Sequence, residues 1–373
     1  MATHGRKAPL HNEEMLINMG PQHPSTHGVL RLVLRLRGEM IESCRCVIGY
    51  LHRCHEYISE RNGWIRSLPL TDRLDYLSPI TCEWAMALAA ERLAQVEVPE
   101  RAEWLRVLSA ELYRIASHLV FVGTFGNDLA AVTMFLHTFR ERELIMDIFE
   151  KLTGQRMTCH YIRVGGVGWD LPAGLDREIR QALDVIESRL REYDDLFTNN
   201  RILRARTEGV AEISAERCRA YGASGPVARA SGVDFDLRRD APYGVYDRFD
   251  YRVILGNRGD CLDRFTCRME EMRQSARICR QVLDGLPPGE IRTKLPARFK
   301  TPEGVAYGAV EGARGECGYF AIGDGTEAPY RLKIRSGGFS NLHLIEDILV
   351  GWKVADVVTI LGSIDIVLGD IDR

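Results

Sequence analysis

The sequence predicts an α+β protein, a central helical bundle with small antiparallel sheets on either side of it. Three observations carry this expectation. Apolar residues alternate with period two close to the N-terminus, a helical period governs most of residues 75–285, and strand-like runs return beyond residue 300. No internal repeat or low-complexity linker interrupts the order sheet, bundle, sheet, helix. The 373 residues are therefore expected to form one unit, with an N-terminal hairpin region at 14–60, a bundle at 75–285 and C-terminal strands and helices at 300–373.

The stretch GPQHPSTHGVLRLVLRLRGEM opens the first region with a Pro/His loop that carries His23 and His27. Leu30, Leu32, Leu34 and Leu36 then alternate with Val29, Arg31, Val33, Arg35 and Arg37, which predicts a strand with one buried face. Gly38-Glu39 turns the chain into a second run from Met40 to Tyr50, closing a hairpin whose mouth bears the Pro/His loop. Residues 77–97, 101–126, 131–153, 174–197 and 259–285 are each long and periodic enough for a packed helix, with Pro99 and Gly154 at element ends. Past GLPPGE, strands are expected at 304–312, 315–325 and 328–336, followed by two helical stretches.

Composition removes several functions. Net charge is only −3 and the basic residues are scattered, so nucleic-acid binding is set aside. No window offers the run of about 18 apolar residues that a spanning helix needs. The opening MATHGRKAPLHNEE lacks the apolar core of a secretion signal. Ten cysteines occur without any C-x-x-C pair, so reduced core thiols are expected; Cys44 and Cys46 share a strand face, but no metal is expected there. VGGVGWD and GDGTEAPY lack the spacing of nucleotide loops and read as turns, with Asp324 capping backbone amides.

Polar residues in apolar settings are more informative. RLDYLSP places Arg73, Asp75 and Tyr76 where a helix begins, and Asp128 interrupts an apolar stretch in which a carboxylate needs a cation or several donors. On residue type alone, Tyr76 reads as a core tyrosine and Asp128 as a helix cap. If His27, Tyr76 and Asp128 met, however, they would join a titratable imidazole, a phenol able to give and regain a proton, and an anion that raises the imidazole pKa. Such a set suits quinone reduction, in which both carbonyl oxygens take a proton once electrons arrive.

The stretches MGPQHPSTHGVLRLVL, IGYLHR, DRLDYLS, YIRVGGV, RASGVDFDLR, RGDCLDR, EEMRQS and IVLGDIDR resemble the 49 kDa subunit of respiratory complex I, from about residue 14 to the last residue. That subunit is similar in fold to the large subunit of nickel–iron hydrogenases. The resemblance implies that this chain forms a quinone headgroup cavity together with the iron–sulfur subunit that carries the terminal cluster. It implies that His27 and Tyr76 bind the two quinone oxygens, that Asp128 partners His27, and that Arg73 lies beside the partner's terminal iron–sulfur cluster. It further implies partners in the terminal-cluster subunit, a 30 kDa-type subunit and the membrane arm. Iron–sulfur clusters and FMN would belong to partner chains, with no metal or flavin on this one. The location implied is the cytoplasmic face of the inner membrane, or the matrix face in a mitochondrion.

Hydrogenase chemistry itself is excluded by the missing C-x-x-C ligand pairs, since the corresponding segments read GYLHRCHE and DIVLGDIDR. A ferredoxin- or deazaflavin-driven paralogue with the same quinone end, or a scaffold without turnover, is the remaining alternative. Three departures from the resemblance stand out. RMTCHYIR has Thr158 where the family usually has histidine, with His160 two places on. Cys54 and His55 follow YLHR, where glycine is common at the first position. A helix-sized stretch between PPGE and GARGE is replaced by residues 291–311.

Overall fold

The computed structural model describes residues 14–22 and 28–373. The N-terminal sheet has three antiparallel strands, β1 (Glu14–Met19), β2 (Arg31–Arg37) and β3 (Met40–Val47), in that order. Strands β2 and β3 are the expected hairpin, and β1 is an addition along its edge. Leu30, Leu32, Leu34 and Leu36 are buried as their alternation requires. Their burial is not against the bundle. They pack into a second core with Ile345, Ile360, Ile364, Leu368 and Ile371 from the C-terminal helices.

Two short helices follow, α1 (His55–Asn62) and α2 (Trp64–Thr71), and then the long ones: α3 (Pro79–Ala94), α4 (Glu100–Asp128), α5 (Val132–Thr153) and α6 (Leu175–Tyr193). Proline at the first position of α3 costs no hydrogen bond, because that N–H has no helical partner. Gly154 stops α5 with φ 79, a left-handed conformation that glycine adopts without steric cost. Between α5 and α6, β4 (Ile162–Arg163) and β5 (Gly166–Val167) form a two-residue ladder where the sequence predicted a turn. After α6 a π-helical turn at Asp194–Thr198 leads to four short helices: α7 (Arg201–Thr207), α8 (Ala215–Ala220), α9 (Gly225–Ala230) and α10 (Leu237–Asp240). Helix α11 (Cys261–Gly285) is capped by Asp260, whose carboxylate accepts the Asp263 N–H at 2.7 Å, and it packs against α4.

The second sheet is the antiparallel meander β6 (Gly304–Gly312), β7 (Gly315–Gly323) and β8 (Arg331–Arg335), seated on α3. Helices α12 (Gly337–His343), α13 (Ile345–Ile348), α14 (Val357–Ile364) and α15 (Leu368–Asp372) complete the described chain. The connection before β6 is sewn onto the β4–β5 turn. Val167 N–H donates to Ile291 O at 3.0 Å and Thr293 N–H to Gly165 O at 2.8 Å. Asp324 accepts from Thr326 N–H at 3.1 Å, the turn role expected for it. All ten cysteines are free thiols and seven are buried, which fits their reading as core residues.

The bundle interior is unusually rich in arginine. Arg106, Arg114, Arg229, Arg264, Arg268 and Arg314 are all buried, and each is met by carboxylates or carbonyls. Arg229 is gripped by Glu271 and Glu311, both at 2.7 Å. Glu111 is held by Arg114 and Arg238. Burial works against the charge of Glu111, yet those two guanidiniums pull its carboxyl down to about 2.

Candidate functional site

Three segments distant in sequence surround the candidate residues. The first is the loop between α2 and α3. Thr71 Oγ1 donates to Leu68 O at 2.7 Å and Leu74 N–H to Thr71 O at 3.1 Å, so the chain leaves α2 in a tight turn. A second turn closes over Tyr76: Ser78 N–H donates to Asp75 O at 3.0 Å and Leu77 N–H to Asp75 Oδ1 at 3.3 Å. This pair of turns leaves Tyr76 half-buried at the face of the loop, while Asp75 is buried beneath it. Burial pushes the Tyr76 phenol up from its usual value.

The second segment is the last turn of α4, which ends at the half-buried Asp128. Beyond it the α4–α5 turn opens on an apolar groove of about 350 Å³ that runs from Leu129 to Leu203. The third segment is the C-terminal run from α14 to α15, and it touches both of the others. A methyl group at Gly362 would lie 3.3 Å from Asp128 Oδ2, and one at Gly369 would lie 2.5 Å from Leu74 O and 3.1 Å from Arg73 O. Leu368 also lies against Gly28, 3.7 Å from where a methyl on that glycine would sit. His27 itself lies outside the described residues. Asp128, the Tyr76 loop and the neighbour of His27 thus converge on one short stretch, from Gly362 to Gly369.

The IGYLHR stretch is pinned to the same run. Asp372 accepts Gly49 N–H at 2.8 Å and Leu51 N–H at 2.7 Å, and Arg53 N–H donates to Arg373 O at 3.2 Å. Cys54 then adopts φ 57, the left-handed conformation that glycine takes most readily, and the chain bends there. His55 is buried, and its imidazole is lowered to about 4, chiefly by that burial.

Arg73 stands at the rim, 44% exposed, with its guanidinium 3.7 Å from Asp72. Behind it lies a group that residue order alone does not assemble. Asp72 and Glu83 are fully buried and His160 half-buried, and their candidate ligand atoms all lie within 4.8 Å of one another. Glu83 accepts the Tyr161 and Ile162 amides at 3.0 and 2.9 Å and meets His160 Nδ1 at 3.0 Å. Asp72 accepts His160 N–H at 2.9 Å. Burial and the neighbouring Glu83 push Asp72 up to about 9, and burial pushes Glu83 up to about 7. The chemistry of this set is therefore that of two carboxyls sharing a proton, with His160 held neutral by burial, which lowers it to about 4. The sequence signal was indirect: Glu83 is a carboxylate in the largely apolar first three turns of α3, and His160 stands two places past Thr158. Thr158 and His160 both take positive φ, 51 and 44, in the loop that presents them. His160 and Arg163 line a groove of about 830 Å³ with Ile65, Leu68 and residues 290–295.

A family model described as "Respiratory-chain NADH dehydrogenase, 49 Kd subunit" matches the chain over residues 128–298 and 293–373. That defines the class, a subunit of a respiratory-chain oxidoreductase. Relatives agree along nearly the whole chain. The D subunit of NADH-quinone oxidoreductase from Desulforamulus reducens is 48% identical over 360 residues, covering 96% of this chain and 98% of that one. Its counterpart from Clostridium beijerinckii is 46% identical, covering 98% of each chain. The one from Geobacillus kaustophilus is 47% identical, covering 97% of this chain and 99% of that one. The chain belongs to the family of 49 Kd NADH dehydrogenase subunits, and the resemblance read from its motifs is borne out. Among the described residues no helix is long and apolar enough to cross a membrane.

Proposed function

We propose that this chain is the quinone-site subunit of a proton-translocating NADH:quinone oxidoreductase, seated on the cytoplasmic face of the membrane arm (the matrix face in a mitochondrion). FMN and the iron–sulfur clusters reside on partner subunits. Electrons reach the quinone from the adjacent subunit with the terminal cluster, beside which Arg73 stands as a positive charge that favours reduction. A 30 kDa-type subunit and the membrane arm are the further partners. The quinone takes two electrons and two protons to become a quinol, with one O–H bond formed at each carbonyl oxygen. Tyr76 binds one oxygen and supplies a proton from its phenol. His27 binds the other and supplies a proton from its imidazolium, which Asp128 stabilises.

The observation that carries this reading is the convergence on the C-terminal run: Asp128 meets Gly362, the Tyr76 loop meets Gly369, and Gly28, beside His27, meets Leu368. A phenol whose proton affinity is raised by burial suits the task, because it stays protonated until an oxyanion develops beside it. The test is Tyr76→Phe in membranes that retain the assembled complex. Quinone reductase activity is expected to fall by about 10²-fold or more, while NADH oxidation by an artificial one-electron acceptor persists. Unchanged quinone reduction would refute the headgroup role.

A further inference from the structure

Directly beneath Tyr76 lies a buried cluster that the reaction as described does not use. Arg314, in the tight turn between β6 and β7, sends Nη1 to both oxygens of Asp75, at 2.8 and 3.0 Å, and to Ser117 Oγ at 3.1 Å. Its Nη2 reaches Asp365 Oδ1 at 3.3 Å. Exposure is 5% for Asp75, 2% for Arg314 and 8% for Asp365, so this is an interior ion cluster and water screens it little. Asp365 sits at the corner between α14 and α15 with φ 61. The Arg314 backbone is fixed as well, since its carbonyl accepts Asn341 Nδ2 at 2.9 Å.

We propose that Arg314 is a positioning residue for the reaction: by clamping Asp75 and Asp365 it holds Tyr76 against the C-terminal run and sets the proton affinity of its phenol. This rests on the proposed role of Tyr76 and extends it. The mechanical link is short. Arg314 fixes the Asp75 carboxylate, whose Oδ1 takes the Leu77 amide, and the turn so closed contains Tyr76. The same guanidinium ties that loop to Asp365, three residues past Gly362 at Asp128 and three before Leu368 at Gly28.

The electrostatic link has matching signs. Beyond burial, the Tyr76 phenol feels Arg314, which favours the phenolate, and Asp75 and Asp365, which oppose it. Arg53 adds a second cation at the face of the loop. Around the cluster, Arg268 Nε stands 3.7 Å from Asp365 Oδ2, and Asp370 is hydrogen-bonded to Ser336 and to the Gly338 amide. Stability alone does not account for the arrangement. Arg314 Nε and Asp365 Oδ2 are buried without a hydrogen-bond partner, and apolar replacements of buried ion clusters are often as stable as the originals.

The test is the pH profile of quinone reduction in membranes with the whole complex assembled. Asp75→Asn and Asp365→Asn each remove one negative charge and keep the side chain's shape. Each is expected to move the alkaline limb to lower pH by about one unit. Arg314→Gln removes the cation and is expected to move the limb the other way. Arg314→Lys keeps the charge but cannot span both carboxylates, and is expected to lower kcat by about tenfold with artificial-acceptor activity unchanged. If an Arg314 variant fails to assemble, Asp365→Asn, at the most exposed member, decides the matter. Asn variants whose profiles superimpose on the parent, while Tyr76→Phe abolishes turnover, would overturn this inference alone. Full activity in Tyr76→Phe would overturn the reading of the site beneath it.

Discussion

Gly369→Ala tests the seam between the C-terminal run and the Tyr76 loop. The new methyl would fall 2.5 Å from Leu74 O and 3.1 Å from Arg73 O, and Cβ atoms essentially never approach within 3.0 Å of another heavy atom. The obstruction is backbone carbonyl on a turn already fixed by the Leu74–Thr71 and Ser78–Asp75 hydrogen bonds, so no side chain can swing aside. One segment must retreat by at least about half an ångström, at an overpacking cost of about 1–3 kcal/mol. Misplacement by about 1 Å is enough to cost roughly 10²-fold in rate, so half that corresponds to about tenfold. The expected result is a complex that assembles, oxidises NADH normally with an artificial acceptor, and reduces quinone about tenfold more slowly. Quinone reduction at the parental rate in an assembled complex would refute the claim that this contact positions Tyr76.

Two further perturbations test the buried charges. Asp72 is pushed up to about 9 from a usual 3.8, so between those values the folded chain holds a proton that the unfolded chain has lost, and stability falls as pH rises across that window. Asp72→Asn replaces that proton with a permanent N–H, and the midpoint of heat inactivation should then fall less between about pH 5.5 and 8.5 than in the parent. The same fall in both would rule out the shared proton. Arg229→Met removes the guanidinium that Glu271 and Glu311 each meet at 2.7 Å, and should cost about 3–5 kcal/mol in urea unfolding of the subunit. A loss below about 1 kcal/mol would contradict it.

The long helices were legible because each carries several turns of one buried face, and their predicted ends fall within a few residues of those observed. The stretch expected to be helical to residue 197 passes instead from α6 into the π-helical turn at Asp194, since side-chain periodicity does not report backbone winding. Strand β1 was missed because it is an edge strand with Met15 and Leu16 exposed, which erases the alternation that burial would impose. Helix α2 carries Pro69, and α7 to α10 span seven residues or fewer, too short for a periodic signal. At the site, Arg73, Tyr76 and Asp128 stood out one by one, as polar groups in apolar surroundings. Their supports did not. Arg314 meets Asp75 across 239 positions and Glu83 meets His160 across 77, pairings that only the tertiary fold decides.

A protein that buries so many arginines fixes most of its interior charge, because a guanidinium does not deprotonate in the working pH range. Glu111 and Glu271, paired with such groups, are held well below the usual carboxylate range against the penalty of burial. Protonation changes more readily where burial outweighs the cationic partners and a carboxyl is pushed up. Two such places flank the Tyr76 loop. One is the Asp72–Glu83 pair behind Arg73. The other is Asp370 on α15, pushed up to about 6 by burial and by Asp75. Fixed charge in the bundle and movable protons beside the loop are what the proposed reaction requires: the electrostatic frame is set before electrons arrive, and it need not reorganise as the quinone oxygens become basic.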